Sequence, residues 1–218
     1  MSDWTITWPD TEELLPWKTV IEREIEITRK AAARLVRVPP LAVEIKHVPA
    51  YKVIPEFGMV GHCYGPDRFT LSFAPDSENF VSALAEGAAR RQVAHELHHC
   101  LRNAGPGYGL TLGEAFVSEG LAGHFVHRLF GTRPEPWECA LTDDVALSHL
   151  PDAKALAEPN YDHNGWFYAE GRRHPRWLGY TLGFVLAGRW LNRTANVDGR
   201  MLVNVPAADV LARARSDA

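Results

Sequence analysis

Apolar and polar positions succeed one another along this chain with two periods, one helical and one of strand type. From Thr11 to Val36, Leu14, Val20, Ile21, Ile25 and Ala32 recur at helical spacing, while Glu22, Glu24, Arg29 and Lys30 populate the other side. Pro16 falls in an early turn of that helix or kinks it, and Pro39-Pro40 ends it. Leu41–Val48 alternates, with Val43 and Ile45 against Glu44 and Lys46, and reads as a strand. Two more strands follow at Gly58–Tyr64 and Phe69–Phe73, joined by the turn signature Gly65-Pro66-Asp67, which predicts a hairpin. Ser77–Asn103 reads as one long helix carrying Phe80, Leu84, Ala88, Val93, Leu97 and Leu101, stopped by Asn103 and Gly105-Pro106.

After the loop Gly105–Gly109, Thr111-Leu112-Gly113-Glu114 has the form of a capping box, so a helix is predicted from there to Phe130, with Gly131 as its stop. The pattern weakens from Thr132 to Pro175, where short segments are expected between Pro134, Pro136, Pro151 and Pro159. Trp177–Leu191 is apolar on most sides and reads as a buried helix, and Val205–Ala214 as a short amphipathic one. With no internal repeat and no Gly/Ser linker, residues 1–218 are expected to form a single domain.

Composition acts here by exclusion. Apolar residues make up 46% and charged residues 23% of the 218 positions, which is ordinary for a soluble globular chain. The net charge of −4, without any Lys/Arg block, argues against a nucleic-acid partner. No apolar run approaches the roughly 20 residues of a membrane helix, so no membrane partner is expected. Met1-Ser2-Asp3-Trp4 has neither a basic nor an apolar leader region. Three cysteines, Cys63, Cys100 and Cys139, in no CxxC spacing point to a reducing compartment, and a cytoplasmic location is expected.

The sharpest chemical signal is His95-Glu96-Leu97-His98-His99. On a helix, residues i and i+4 share a face, so His95 and His99 can point imidazole nitrogens at one ion. Neutral imidazole suits Zn²⁺, and a catalytic zinc site takes three protein ligands and leaves one place for water. Glu96 then stands where it can take that water's proton as general base. His95 with His98, at i and i+3, is the other pairing, but it leaves Glu96 without this role. On the next helix, Leu112, Ala115, Phe116, Ala122, Gly123, Val126 and Phe130 all fall within about 60° of Glu119. Glu119 is thus the one charge at the centre of an apolar stripe. A carboxylate there needs a cation, a metal or a proton, and with two imidazoles upstream the metal is the favoured partner. Gly120 and Gly123 would let this helix approach the first one closely.

HELHH followed by EAFVSEGLAGHF resembles the gluzincin branch of zincin metallopeptidases. SEGLA together with the later PRWLGYTLGF resembles, more closely, the bacterial predicted zinc-dependent protease family that includes YjaZ. The resemblance spans roughly Leu71 to Leu191. It implies an α+β, zincin-like fold, mainly helical, with a small mostly antiparallel sheet beside the HExxH helix. It also implies peptide hydrolysis with one zinc per chain, His95, His99 and Glu119 as ligands, Glu96 as base, and a peptide or protein as substrate. Many gluzincins carry an acidic residue four positions after the glutamate ligand; here that position is Gly123. Oxyanion stabilisation requires a further donor. Tyr180, in the family-like segment, is the first candidate, followed by His174 and Arg176.

Two other readings stand beside this one. The first is a non-catalytic zinc module that regulates or binds a partner, in which His98, His149 or His174 closes the metal as a fourth ligand. The second is a metal-free helical interaction protein with a chance HExxH. His124 and His127 lie about 140° and 80° from Glu119 and are expected on a solvated side. His62-Cys63 reads as a surface histidine beside a core cysteine in a strand that could bind extended substrate. His149 and His163 fall in the irregular region and are left unassigned, as is the oligomeric state.

Overall fold

The computed structural model describes residues 4–169, 171 and 173–214, so Met1, Ser2 and Asp3 lie outside the described residues. The chain divides into two compact units, Met1–Ala104 and Gly105–Ala218. With a small sheet and many helices, the fold is α+β. No helix is long and apolar enough to cross a membrane.

The first unit holds all four strands among the described residues: β1 (Trp4–Thr7), β2 (Leu41–His47), β3 (Met59–Cys63) and β4 (Arg68–Phe73). Their order is β1-β2-β4-β3. β3 and β4 form the predicted antiparallel hairpin, but β1 with β2 and β2 with β4 pair in parallel. The sheet is therefore mixed, which corrects the expected mostly antiparallel one. The cause is β1, four residues too short to show its alternation in the sequence. It turns helix α1 (Lys18–Ala32) into a crossover between parallel strands. The hairpin then lays β4, not β3, beside β2, in the register Ala42↔Arg68 to His47↔Phe73.

Leu41, Val43 and Ile45 of β2 are buried with Phe69, Leu71 and Phe73 of β4, as the alternation required. Pro16 sits in a 3-10 turn, Leu15–Trp17, ahead of α1. Glu24 of α1 is not on a polar side: it is 1% exposed, because α1 packs on helix α3 and Arg90 of α3 pairs with its carboxylate. The long helix read over Ser77–Asn103 is two, α2 (Phe80–Ala85) and α3 (Ala88–Asn103). Gly87 between them has φ of 77°, a left-handed conformation that glycine takes without a Cβ penalty and that no α-helix continues through. α3 lies against β3 and β4.

Helices are the regular elements of the second unit among its described residues. α4 (Leu112–Phe130) starts at the predicted capping box, with Thr111 and Glu114 each satisfying the other's backbone N–H. The irregular region supplies α5 (Asp143–Ser148), α6 (Ala153–Leu156) and α7 (His163–Tyr168). They are followed by α8 (Leu178–Asn192), α9 (Gly199–Asn204) and α10 (Ala207–Ala214). α9 was not read from the sequence. α4 is buried on nearly every side, since Val117, Leu121 and Phe125 are as covered as the stripe around Glu119.

α4 and α8 meet backbone to backbone. A Cβ on Gly120 would stand 2.0 Å from the Gly183 carbonyl oxygen, and one on Gly183 would stand 2.2 Å from that of Phe116. The neighbour that Gly120 admits is thus α8, and Gly123 makes room for Glu138 and Phe184. Gly120→Ala should therefore destabilise the protein by about 1–3 kcal/mol in urea denaturation, the cost of overpacking a closed contact. Gly65→Ala, where a Cβ would meet nothing closer than 3.9 Å, should leave the midpoint nearly unchanged. Equal midpoints for the two variants would contradict this packing.

Candidate functional site

In the first unit, three contacts fix α3. The Arg90 guanidinium pairs with the buried Glu24 carboxylate, with Nη2 3.1 Å from Oε1. The Arg90 carbonyl accepts a 2.9 Å bond from Thr28 Oγ1. Two residues on, the Gln92 side-chain oxygen accepts 3.1 Å from the Gly61 N–H of β3. A strand N–H with no sheet partner is thereby spent on holding the helix.

The next turns carry the motif. His95 and His99 bring their Nε2 atoms to 3.0 Å, with ring centroids 4.6 Å apart at 80°. Two ligands of a tetrahedral zinc, each about 2.0–2.1 Å from the ion, stand about 3.3 Å apart, so the pair fits such an ion closely. Glu96, 5% exposed, lies against β3, where a Cβ on Gly61 would overlap its carboxylate. Glycine at position 61 is what leaves room for that side chain.

Two cysteines meet on the same helix–strand contact. Cys63 Sγ of β3 and Cys100 Sγ of α3 are 3.4 Å apart, and Asn103 Nδ2 donates to Cys63 Sγ at 3.4 Å. The hydrogen bond between the thiols lowers Cys63 to about 7 and raises Cys100, whose burial adds to the rise. His62 is exposed and stacks edge-on with Tyr64 at 4.6 Å, in keeping with a surface histidine.

In the second unit, Glu119 is 8% exposed on α4, and its Oε1 accepts a 2.8 Å bond from the Tyr108 hydroxyl. Tyr108 is held there by its own loop: its carbonyl accepts 2.6 Å from Ser118 Oγ, and Glu114 Oε2 accepts from the Leu110 and Thr111 N–H groups. Burial, then the Glu119 charge, pushes the Tyr108 phenol well above its usual value, so it stays a donor at neutral pH. The same causes push Tyr161 up to about 12 and Tyr180 well up. Tyr180 shares a 3.0 Å hydroxyl bond with Tyr168. Glu119 thus stands in a field of tyrosines that the sequence reading, apart from Tyr180, missed. The available signal was Tyr108 itself, set between Gly107 and Gly109 one loop ahead of α4.

Four more histidines of this unit, His124, His127, His163 and His174, pack against aromatic rings, while His149 is exposed. His174 stacks on Trp166 at 3.8 Å and lines a cleft of about 390 Å³ with Asp152, Lys154, Glu158 and Arg173; burial lowers its pKa, and nearby His149 adds to the shift. Arg176 lies over the Trp177 ring, 4.3 Å from its centroid. His163 stacks on Phe167 at 4.4 Å. His124 and His127 are only partly exposed: His124 stacks on Phe184 at 4.0 Å with Nε2 2.9 Å from that residue's carbonyl oxygen, and His127 Nε2 lies 3.6 Å from Glu138 Oε2. α8 and Glu138 cover the side that the helical wheel left open.

A family model described as predicted Zn-dependent protease (DUF2268) matches residues 17–212, a longer stretch than the motifs alone delimit. No curated protein and no solved structure matches the chain.

Tyr108→Phe leaves the buried Glu119 carboxylate one donor short. In the metal-free protein it should cost about 1–3 kcal/mol by urea denaturation, the penalty for an unmade bond to a buried charge. An unchanged midpoint would show that the bond does not hold Glu119.

Proposed function

The chain belongs to the predicted Zn-dependent protease family, and from that premise we propose that it hydrolyses peptide bonds, with zinc held by His95, His99 and Glu119 and with Glu96 as general base. The observation that carries this reading is the pair of imidazole Nε2 atoms 3.0 Å apart, with Glu96 buried on the same helix. It is supported by the donor inventory: among the described residues, the group of His, Cys, Asp and Glu side chains suited to holding a metal ion is His95, His99 and Glu119. Two imidazoles and one carboxylate are a catalytic ligand set, which leaves a coordination place for water or substrate. The arrangement we infer is zincin-like, with the two units serving one catalytic domain and a peptide or protein as substrate.

Zinc, when bound, supplies Lewis acidity that polarises a scissile carbonyl and acidifies water. The chain's own residues do the rest. Glu96, excluded from bulk solvent against Gly61, takes a proton from the attacking water on its carboxylate and hands it to the departing amine. Tyr108 holds Oε1 of Glu119, which orients the other carboxylate oxygen as a ligand. Tyr180, kept protonated by burial and by the Glu119 charge, donates a hydrogen bond from its hydroxyl to the carbonyl oxygen as negative charge grows there. His174 and Arg176 stand next as donors for the same oxygen.

The test is Glu96→Gln. This variant should retain about one zinc per chain by metal analysis, yet lose peptide-library cleavage by about 10²–10⁴-fold, the range for a general base. Cleavage equal to that of the wild type would remove Glu96 from the mechanism. A wild-type chain purified without zinc and unresponsive to its addition would remove the metal as well.

A further inference from the structure

We propose that Cys63 and Cys100 are a reversible redox pair that closes to a disulfide under a hydroperoxide and so clamps strand β3 onto the helix that carries Glu96. The two sulfurs lie 3.4 Å apart, and a disulfide needs about 2.0 Å. Closure therefore asks for little more than 1 Å of approach, within reach of small side-chain and strand adjustments. The setting favours it. β3 is an edge strand with β4 as its one sheet partner, so it can shift toward α3 without breaking a second ladder. Cys63 is partly exposed and open to a small oxidant, while Cys100 is buried behind it as the resolving thiol.

The contact is in register along both elements. Gln92, Glu96 and Cys100 follow one another at i, i+4 and i+8 on one face of α3. They meet the Gly61 N–H, the Gly61 Cα side and Cys63 of β3 in turn. A disulfide at the third point tightens the second, where Glu96 already fills the space above Gly61.

The chemistry balances with a hydroperoxide as the sole added reactant. The Cys63 sulfur attacks the O–O bond; an S–O bond forms and the O–O bond breaks. Cys63 gives its two electrons, and the leaving oxygen departs with the thiol proton as water or alcohol. The Cys100 sulfur then attacks the sulfenic sulfur; S–S forms, S–O breaks, and the hydroxide takes the Cys100 proton and leaves as water. Dithiothreitol reopens the bridge by thiol–disulfide exchange.

The test uses the full chain with Cys139→Ser, which removes the exposed third thiol. Hydrogen peroxide should take the titratable thiols from two to none, peptide mapping should find Cys63 linked to Cys100 within one chain, and dithiothreitol should return both thiols. In the same background, Cys63→Ser should keep its remaining thiol and form no intramolecular link. The proposal is overturned if Cys63 stops at an oxygen-bearing acid while Cys100 still alkylates, or if the link forms only between chains. None of these readouts depends on peptide cleavage or on zinc.

Discussion

Two imidazole nitrogens 3.0 Å apart on one helix face are compatible only with a proton or a cation between them. If both rings were protonated, they would repel at a distance where buried charge is weakly screened. Helical geometry delivers His95 and His99 to the same face at no cost, but the closeness of their tips is set by how rigidly α3 is held. Around that pair the first unit is organised as a mount. Gly87 sets where α3 begins, the Glu24–Arg90 ion pair anchors its first turn, and Gln92 binds an edge-strand N–H. Gly61 then makes room for Glu96.

The second unit solves a complementary problem, how to keep a carboxylate inside an apolar helix. Burying an unpaired charge is costly enough that the group would sooner take up a proton. Tyr108 supplies a hydrogen bond directly to Glu119, and the surrounding phenols are themselves driven to remain protonated. The Ser118 and Glu114 bonds to the loop mean that the donor arrives prearranged. Such a carboxylate has one oxygen held by the protein, as outer partners commonly hold carboxylates that ligate metals.

Local signals carried much of this in the sequence. The Thr111–Glu114 box and the Gly65-Pro66-Asp67 hairpin depend on residues within a few positions and form as read, and the i, i+4 spacing brings the rings of His95 and His99 together. What escaped depends on partners distant in the chain. β1 is too short to announce itself, so the parallel pairing it creates was invisible, and the sheet was expected to be mostly antiparallel. Glu24 looks like a solvated helix residue until Arg90, sixty-six positions away, is beside it. His124 and His127 look exposed on a wheel because the wheel does not know about Phe184 and Glu138. Tyr108 lies in a loop without periodicity, where its place between two glycines was the one local signal.

The central claim is that two imidazoles and a carboxylate make a metal site with an open place. X-ray absorption at the zinc edge of the loaded wild-type chain addresses it most directly, because it reads the atoms around the ion without requiring a substrate. The account predicts a first shell of nitrogen and oxygen only, at about 2.0–2.1 Å, with the multiple-scattering signature of two imidazoles. A sulfur neighbour at about 2.3 Å, which would put Cys63 or Cys100 on the metal, or a shell with three or more imidazoles, would contradict it.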